Sequence, residues 1–210
     1  KRTCNKLQIE TPKSVFDMAN EYQKKKDHPM RSVAKQYWAA MTMRKWILYK
    51  AENKIYRISE IIRKIDSAQK WIIFSKSTKF VDKVVEKLNK DGVNAVGYHS
   101  KMSKEDRAKA LSDFGEDRHK VLVSADALNQ GYNLPSIDAA ICAAGTSVTL
   151  TLMQQLGRIV RRKEGKQALF VNLYAKSTQE EKWLDNKTKD IETKEVESVA
   201  DLIHELNTEE

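Results

Sequence analysis

The stretch of this 210-residue sequence with the clearest chemistry is QQLGRIVRRKEGK, residues 154–166, which places three arginines directly before an apolar run. Arg158 and Arg161 are spaced i, i+3, so in a helix their guanidinium groups project from one face. A guanidinium group stays charged and presents a planar fork that matches phosphate oxygens. The segment is therefore a candidate phosphate site. The alternative is a solvated basic helix end that complements the helix dipole.

The surrounding sequence predicts a parallel sheet covered by helices. Beyond residue 70, short apolar runs alternate with helical stretches, as expected for strands that are buried on both faces. The runs predicted to be strands are residues 71–74, 95–98, 121–123, 139–143 and 168–173. Helices are predicted over residues 78–89, from Ser103 to Gly115, and around residues 154–162, with Gly92 ending the first of them. The fold class is therefore α/β, with functional loops expected at the carboxyl ends of the strands.

Helical extensions are expected on both sides of this sheet. Residues 14–26 and 31–65 carry apolar side chains at helical spacing, the second range as one or two helices in which Trp38 and Trp46 are packing residues rather than base-stacking platforms. A last amphipathic helix is predicted with Val199, Leu202, Ile203 and Leu206 on its apolar face. The predicted organisation is a linker and helical lead-in over residues 1–45, an α/β domain over residues 46–185 and an acidic helical tail over residues 186–210.

The charge of the chain is unevenly distributed. The net charge is +9, made up of +10 in residues 1–70, +5 in residues 71–175 and −6 in residues 176–210. This excess favours a polyanionic partner, nucleic acid before membrane. The alternative is that the lysines serve only solubility.

Other classes of protein are disfavoured by composition. No run approaches the roughly 20 apolar residues of a membrane span, and no apolar block near Lys1 reads as a signal peptide, so a cytoplasmic protein is expected. Cys4 and Cys142 lack CxxC spacing, so neither a metal site nor a disulfide framework is predicted. A dinucleotide-binding enzyme is disfavoured because no GxGxxG follows the first strand.

Four segments with small or hydroxylated residues follow the predicted strands, and backbone amides and hydroxyls of this kind can reach phosphodiester groups. They are residues 75–78, 99–102, 124–135 and 145–147.

These segments and the arginine stretch together resemble the second RecA-like domain of superfamily 2 helicases and DNA translocases. The sequence SADALNQGYNLP, residues 124–135, resembles motif V of that family, and QQLGRIVR, residues 154–161, resembles motif VI in its Q-x-x-G-R-x-x-R form. Residues 71–77 resemble motif IV, and residues 98–102 resemble the loop that lies along the nucleic-acid backbone. The resemblance covers about residues 45–185 and implies a RecA-like fold.

The resemblance assigns nucleotide-binding roles. Arg161 is the expected arginine finger on the γ-phosphate of ATP, Arg158 a second γ-phosphate or interdomain contact, and Gln154 a polar relay to the nucleotide or the opposite domain. Gly131 permits a close backbone approach. Asn133 stands where many members of the family have Asp, and its amide can still hydrogen-bond a hydroxyl group.

The resemblance also assigns a nucleic-acid track. Its expected residues are Ser75, Lys76, His99, Lys101 and Ser124. Asp126, with Ser124, is expected to couple the nucleotide state to the strand-binding loop. His99 as a general base is disfavoured because no carboxylate partner is identifiable from the sequence.

The sequence contains no G-x-x-x-x-G-K-[ST] segment and no DExx tetrad after an apolar strand, so it lacks a phosphate cradle and a Mg²⁺ site of its own. We expect ATP to be shared with an N-terminal RecA-like lobe of the same polypeptide, with Mg²⁺ bound by that lobe. The isolated chain is not expected to hydrolyse ATP.

The predicted function is that of a C-terminal motor lobe in an ATP-dependent helicase or translocase. It would supply arginine fingers and part of the nucleic-acid track, with DNA favoured over RNA as the partner and no membrane role. The alternative is a non-catalytic nucleic-acid-binding or protein-interaction module derived from the helicase fold, with the acidic tail open to a protein partner.

Overall fold

A computed structural model of the protein describes residues 12–65, 70–125, 137–144, 169–188 and 192–208. The chain divides into two units, Lys1–Ile47 and Leu48–Glu210. Within the described ranges, no helix combines the length and the hydrophobicity needed to cross a membrane.

The first unit contains helix α1, Pro12–Lys24, and most of helix α2, Arg31–Tyr49. The ring of Phe16 on α1 meets the ring of Trp38 on α2 edge to face, with 4.8 Å between the ring centroids. Aromatic pairs favour this arrangement because the positive ring edge meets the negative face. Trp38 is therefore a packing residue in this unit, as predicted, whereas Trp46 of α2, which was also predicted to pack, is 40% exposed.

The second unit is built on a sheet of five parallel strands in the order β2-β3-β1-β4-β5. The strands are β1 Trp71–Ser75, β2 Ala95–Tyr98, β3 Val121–Ala125, β4 Ala139–Cys142 and β5 Leu169–Asn172. β1 lies between β3 and β4, and every neighbouring pair is parallel. The predicted α/β class is confirmed, and each predicted strand is found with its ends shifted by two residues at most.

The described helices of the second unit lie before the first strand, after β1 and β2, and after the last strand. They are α3 Glu52–Lys64, α4 Thr78–Lys90, α5 Lys104–Gly115, α6 Gln179–Thr188 and α7 Val199–Thr208. The apolar periodicity over residues 31–65 corresponds to two helices, α2 and α3. The helix predicted around residues 154–162 lies outside the described residues.

Both faces of the sheet are covered, which explains why β1 is apolar along its whole length. Successive strand side chains point to opposite faces. Trp71 and Ile73 pack in a cluster with residues of α3, α4 and α7. Ile72 and Phe74 pack in a second cluster with Phe114 of α5. All five residues of β1 are buried.

The helix ends follow the capping signals in the sequence. The Ser103 hydroxyl accepts a hydrogen bond from the Asp106 amide at 2.9 Å, which confirms Ser103 as the start of α5. Gly92 has a φ of +82° after the end of α4, a conformation that glycine adopts without steric cost. α5 ends at Gly115 as predicted, but the left-handed residue of that turn is Asp117, with a φ of +62°.

The C-terminal helix α7 is part of the domain core. Val199 is 3% exposed and belongs to the cluster formed by α3, α4 and the sheet. Leu202, Ile203 and Leu206 pack against the same cluster. The apolar face predicted from the sequence is therefore used within the unit, and on the acidic face Glu205 pairs with Lys194.

Ile58 on α3 is fully buried in the main cluster, so its truncation tests the core. We expect Ile58→Ala to lower the free energy of unfolding by about 2–5 kcal/mol, because it removes apolar contacts and leaves a cavity. Ile47→Ala is the matched control, since Ile47 is 67% exposed. Urea denaturation measures both variants. Equal unfolding midpoints for the two would contradict this description of the core.

Candidate functional site

The carboxyl ends of four strands bring the predicted loops to one edge of the sheet. Ser124 of β3 pairs in register with Phe74 of β1 and with Tyr98 of β2. Phe74 also pairs with Cys142 of β4. Because all the strands are parallel, the residues that follow these positions leave the sheet on the same side. The structure therefore brings Ser75, His99 and Ser124 to one edge, which we call the carboxyl edge.

The turn after β1 is shaped by two serines. Ser75 is 3% exposed, and its hydroxyl accepts a hydrogen bond from the Ser77 amide at 3.2 Å. The Ser77 hydroxyl accepts from the Phe80 amide at 3.4 Å and so caps α4. Ser75 thus fixes the turn from inside, and Lys76 carries the positive charge of this loop.

The loop after β2 contains a buried histidine with a carboxylate partner. His99 is 9% exposed, and its Nε2 lies 3.0 Å from Oδ1 of Asp82 on α4. A carboxylate only accepts hydrogen bonds, so Nε2 is the donor. Within the described part of the chain, the buried His99 Nδ1 has no hydrogen-bond partner.

Asp82 corrects one expectation, because the sequence offered no carboxylate for His99. The two residues are 17 positions apart and meet because α4 packs on β2. Their contact orients the imidazole ring. The spacing of the two residues in the sequence does not indicate that they meet. Their contact depends on how α4 packs on β2.

Two helices begin at the carboxyl edge. α4 starts after the turn at Lys76, and α5 starts after the loop that carries His99 and Lys101. The first amides of a helix have no partner within the helix, and together with the helix dipole they attract anions. Lys101 is exposed beside the start of α5. The edge therefore combines lysine side chains with helix N-termini, a combination suited to phosphate groups.

Ser124 is fully buried in β3. Its hydroxyl has no hydrogen-bond partner among the described residues. Its two expected roles, in the nucleic-acid track and in coupling to the nucleotide state, stay predictions from the sequence.

The predicted nucleotide-binding residues lie outside the described residues. They are Asp126, Gly131, Asn133, Gln154, Arg158 and Arg161. Their roles therefore stay predictions from the sequence.

A buried ion pair that was not predicted lies at the end of β4. Lys54 of α3 and Glu180 of α6 are 6% and 1% exposed. The Lys54 Nζ donates to both Glu180 carboxylate oxygens and to the Ala143 carbonyl, each at 2.8 Å. One signal was present in the sequence, because Lys54 lies one helical turn before Ile58 and so on the face that α3 buries.

The electrostatics of this pair show that burial dominates. Desolvation lowers the pKa of the Lys54 ammonium group below its usual value, and the charge and hydrogen bonds of Glu180 oppose that change only in part. The pair is therefore held in place against a desolvation cost. Buried ion pairs are often no more stabilising than apolar side chains of similar volume. A gain in the free energy of unfolding therefore does not by itself account for the burial of Lys54 and Glu180.

Comparison with known families gives a match over more than half of the chain. Residues 53–163 match the family model of the helicase conserved C-terminal domain. The matched range contains the candidate loops of the carboxyl edge and the predicted motifs V and VI.

Two curated relatives illustrate the range of enzymes that this chain resembles. The DNA 3'-5' translocase XPB2 of Sulfurisphaera tokodaii is 26% identical over 132 residues, which cover 63% of this chain and 28% of the translocase. The probable ATP-dependent RNA helicase ddx41 of Dictyostelium discoideum is 31% identical over 147 residues, which cover 70% of this chain and 21% of the helicase. The matched region is therefore less than a third of each relative.

Solved structures share the fold. The C-terminal domain of Dbp5 from S. cerevisiae superposes with a TM-score of 0.61 at 20% identity, covering 75% of this chain and 91% of that domain. The helicase domain of Hef from Pyrococcus furiosus gives a TM-score of 0.52 at 22% identity, covering 81% of this chain and 37% of that structure. The five-stranded sheet with its flanking helices is thus a RecA-like fold.

Removing one partner of the Lys54 and Glu180 pair is expected to be costly. Glu180→Ala should lower the free energy of unfolding by about 3–5 kcal/mol near pH 7, because it leaves a buried ammonium group without its counter-charge. Glu197→Ala is the control, since Glu197 is 77% exposed in its ion pair with Lys176. Denaturant titration of both variants checks the difference. A Glu180→Ala midpoint as high as that of the control would refute the buried pairing.

Proposed function

This chain belongs to the helicase conserved C-terminal domain family of superfamily 2, and we propose that it is the C-terminal motor lobe of an ATP-dependent helicase or translocase. In this proposal the chain works with an ATP-binding lobe in the cytoplasm. It supplies arginine fingers to the nucleotide and part of the track for nucleic acid. ATP binding would close the two lobes, and hydrolysis would release them.

The observation that carries the proposal is the composition of the carboxyl edge. Lys76, His99 and Lys101 lie in loops that leave the sheet on one side, where α4 and α5 begin. Lysine side chains and helix N-termini bind phosphate groups without reading bases. An edge of this kind suits a backbone that slides past it, which is what a translocating motor requires.

The nucleotide side of the proposal depends on the predicted motif residues. Arg161 would contact the γ-phosphate, with Arg158 beside it and Gln154 as a polar relay. Gly131, Asn133 and Asp126 of the motif V loop would line the nucleotide. Mg²⁺ would be held by the other lobe, because its usual acidic ligands are absent from this sequence.

We propose that the nucleic acid is DNA rather than RNA. The sequence favours DNA, while the relatives include a DNA translocase and an RNA helicase. ATP hydrolysis by the full-length polypeptide, measured with single-stranded DNA and with RNA as separate activators, distinguishes the two. Activation by neither, together with ATP-independent binding by this chain, would favour the non-catalytic module instead.

The arginine finger is tested in the polypeptide that joins this chain to its ATP-binding lobe. We expect Arg161→Ala to lower kcat for nucleic-acid-stimulated ATP hydrolysis by about 10³-fold or more, because a finger stabilises charge that develops in the transition state. Arg162→Ala is the control, since the neighbouring arginine is expected to face solvent or nucleic acid. Wild-type turnover by Arg161→Ala would refute the assignment.

The nucleic-acid track is tested by salt dependence. Lys101→Ala should reduce the slope of log K against log salt by about 0.7–0.9, the contribution of one phosphate contact. Lys90→Ala is the control, because Lys90 is exposed at the opposite end of α4. Fluorescence anisotropy with labelled oligonucleotides gives both slopes. Equal slopes for the two variants would place the track elsewhere on the lobe.

A further inference from the structure

The contact between His99 and Asp82 joins two elements of the carboxyl edge. His99 follows β2 directly, and Asp82 lies in the second turn of α4, just beyond the loop of Lys76. A Cβ at Gly97 would lie 3.2 Å from Cγ1 of Val81, so glycine at this position of β2 lets α4 lie close to the strand. Val81 precedes Asp82, and the close packing therefore brings the carboxylate to the histidine.

His99 is also the first residue of a tight turn. Its carbonyl accepts a hydrogen bond from the Met102 amide at 3.1 Å, which is the bond that closes a β-turn. Ser100 and Lys101 are the two central residues of this turn, and both are exposed. The ring of His99 is thus held at α4, while its backbone forms the base of the turn that presents Lys101.

The side chain of Lys101 is available to an anion. Among the residues that the structure describes, its ammonium group forms no ion pair, whereas the ammonium group of Lys83 on α4 is paired with Glu52. A lysine carries its charge on a flexible four-carbon stem. Where that charge lies therefore depends on where the turn holds the backbone of Lys101.

The geometry of the imidazole ring favours a positioning role over proton transfer. Nε2 donates to Asp82, so Nδ1 is the nitrogen with a free lone pair. A general base must come within hydrogen-bond reach of the proton that it removes. The His99 Nδ1 is buried, so a substrate cannot approach it. The pair has the composition of an acid-base dyad, but its contacts are those of a support for the turn.

We propose that Asp82 is a positioning residue for nucleic acid, which acts through His99 to hold the turn that presents Lys101 to a phosphate group of the strand. This inference rests on the proposed function of the lobe. It assigns a favourable role to an acidic side chain that is 64% exposed. By charge alone a carboxylate near the track repels phosphate. The sign of its effect on binding therefore distinguishes positioning from charge.

Two substitutions separate the hydrogen bond from the charge. Asp82→Asn removes the charge and keeps a side-chain oxygen that can accept from Nε2. Asp82→Ala removes both the charge and the acceptor. Glu86→Ala is the matched control, because Glu86 is exposed one turn further along α4 and its removal changes the net charge by the same amount.

The first experiment measures binding of the full-length polypeptide to labelled single-stranded DNA by fluorescence anisotropy. Asp82→Ala should bind about two- to tenfold more weakly than the wild type, the loss expected for one hydrogen bond. Asp82→Asn and Glu86→Ala should bind at least as tightly as the wild type, because each removes a negative charge. Binding by Asp82→Ala as tight as that of Glu86→Ala would overturn the inference. Equal weakening in Asp82→Asn would also overturn it.

A double-mutant cycle connects Asp82 to Lys101. In the wild-type background, Lys101→Ala should reduce the slope of log K against log salt by about 0.7–0.9. In the Asp82→Ala background the reduction should be less than about half of that amount, because the turn no longer presents the lysine. Asp82→Asn should restore the full reduction. An equal reduction in the wild-type and Asp82→Ala backgrounds would mean that the two residues act independently, which contradicts the inference.

Hydrogen exchange and thermal melting test the support of the turn without nucleic acid. In Asp82→Ala, the Met102 amide should exchange several-fold faster, while the Ile73 amide in the centre of the sheet exchanges as in the wild type. The melting temperature should change by no more than about 4 °C, since exposed ion pairs contribute little to stability. Unchanged exchange at Met102 would refute the support. A larger fall in melting temperature would refute the positioning role, because the pair would then be structural.

The failure of the inference and the failure of the proposed function are distinguishable. If Lys101→Ala lowers the salt slope while Asp82→Ala binds like Glu86→Ala, the track stands and the positioning role of Asp82 is wrong. If Lys101→Ala leaves the slope of the wild type unchanged, Lys101 is not on the track and both proposals fail. The exchange of the Met102 amide would then still report whether Asp82 supports the turn.

Discussion

The parallel pairing of β1 with β3 and β4 is the constraint on which the second unit depends. β1 is central, so both of its edges are used by neighbouring strands and both of its faces by packed side chains. A strand in that position has no freedom to shift its register without moving its side chains to the wrong face. Every loop at the carboxyl edge inherits its position from this alignment.

The same alignment sets the electrostatic character of the edge. Right-handed crossovers return each helix over the sheet, so helices that follow strands begin where those strands end. Positive helix ends and lysine loops therefore accumulate on one side, while buried contacts such as those of His99 and Lys54 lie just beneath them. The surface that we propose meets phosphate and the buried contacts beneath it are two layers of one structure.

Most of the fold could be predicted from the sequence, because apolar runs, serine caps and Gly92 are local signals. The grouping of Ser75 and His99 at one edge followed from parallel topology alone. The partners Asp82 and Glu180 could not be predicted, since they lie 17 and 126 positions from the residues they contact. Such pairs depend on how helices pack across the sheet, and the spacing of side chains in the sequence does not predict that packing.

The extent of the core differs from the extent of the family match. The match ends at residue 163, but β5, α6 and α7 follow it, and Val199 is buried in the main cluster. An expression boundary drawn at the end of the match would remove β5 and leave the hydrogen-bonding edge of β4 open. An open, apolar strand edge pairs readily with other chains. The residues from β5 onward therefore complete the sheet beside β4 and the core beneath it, and a lobe cut at residue 163 would lack both.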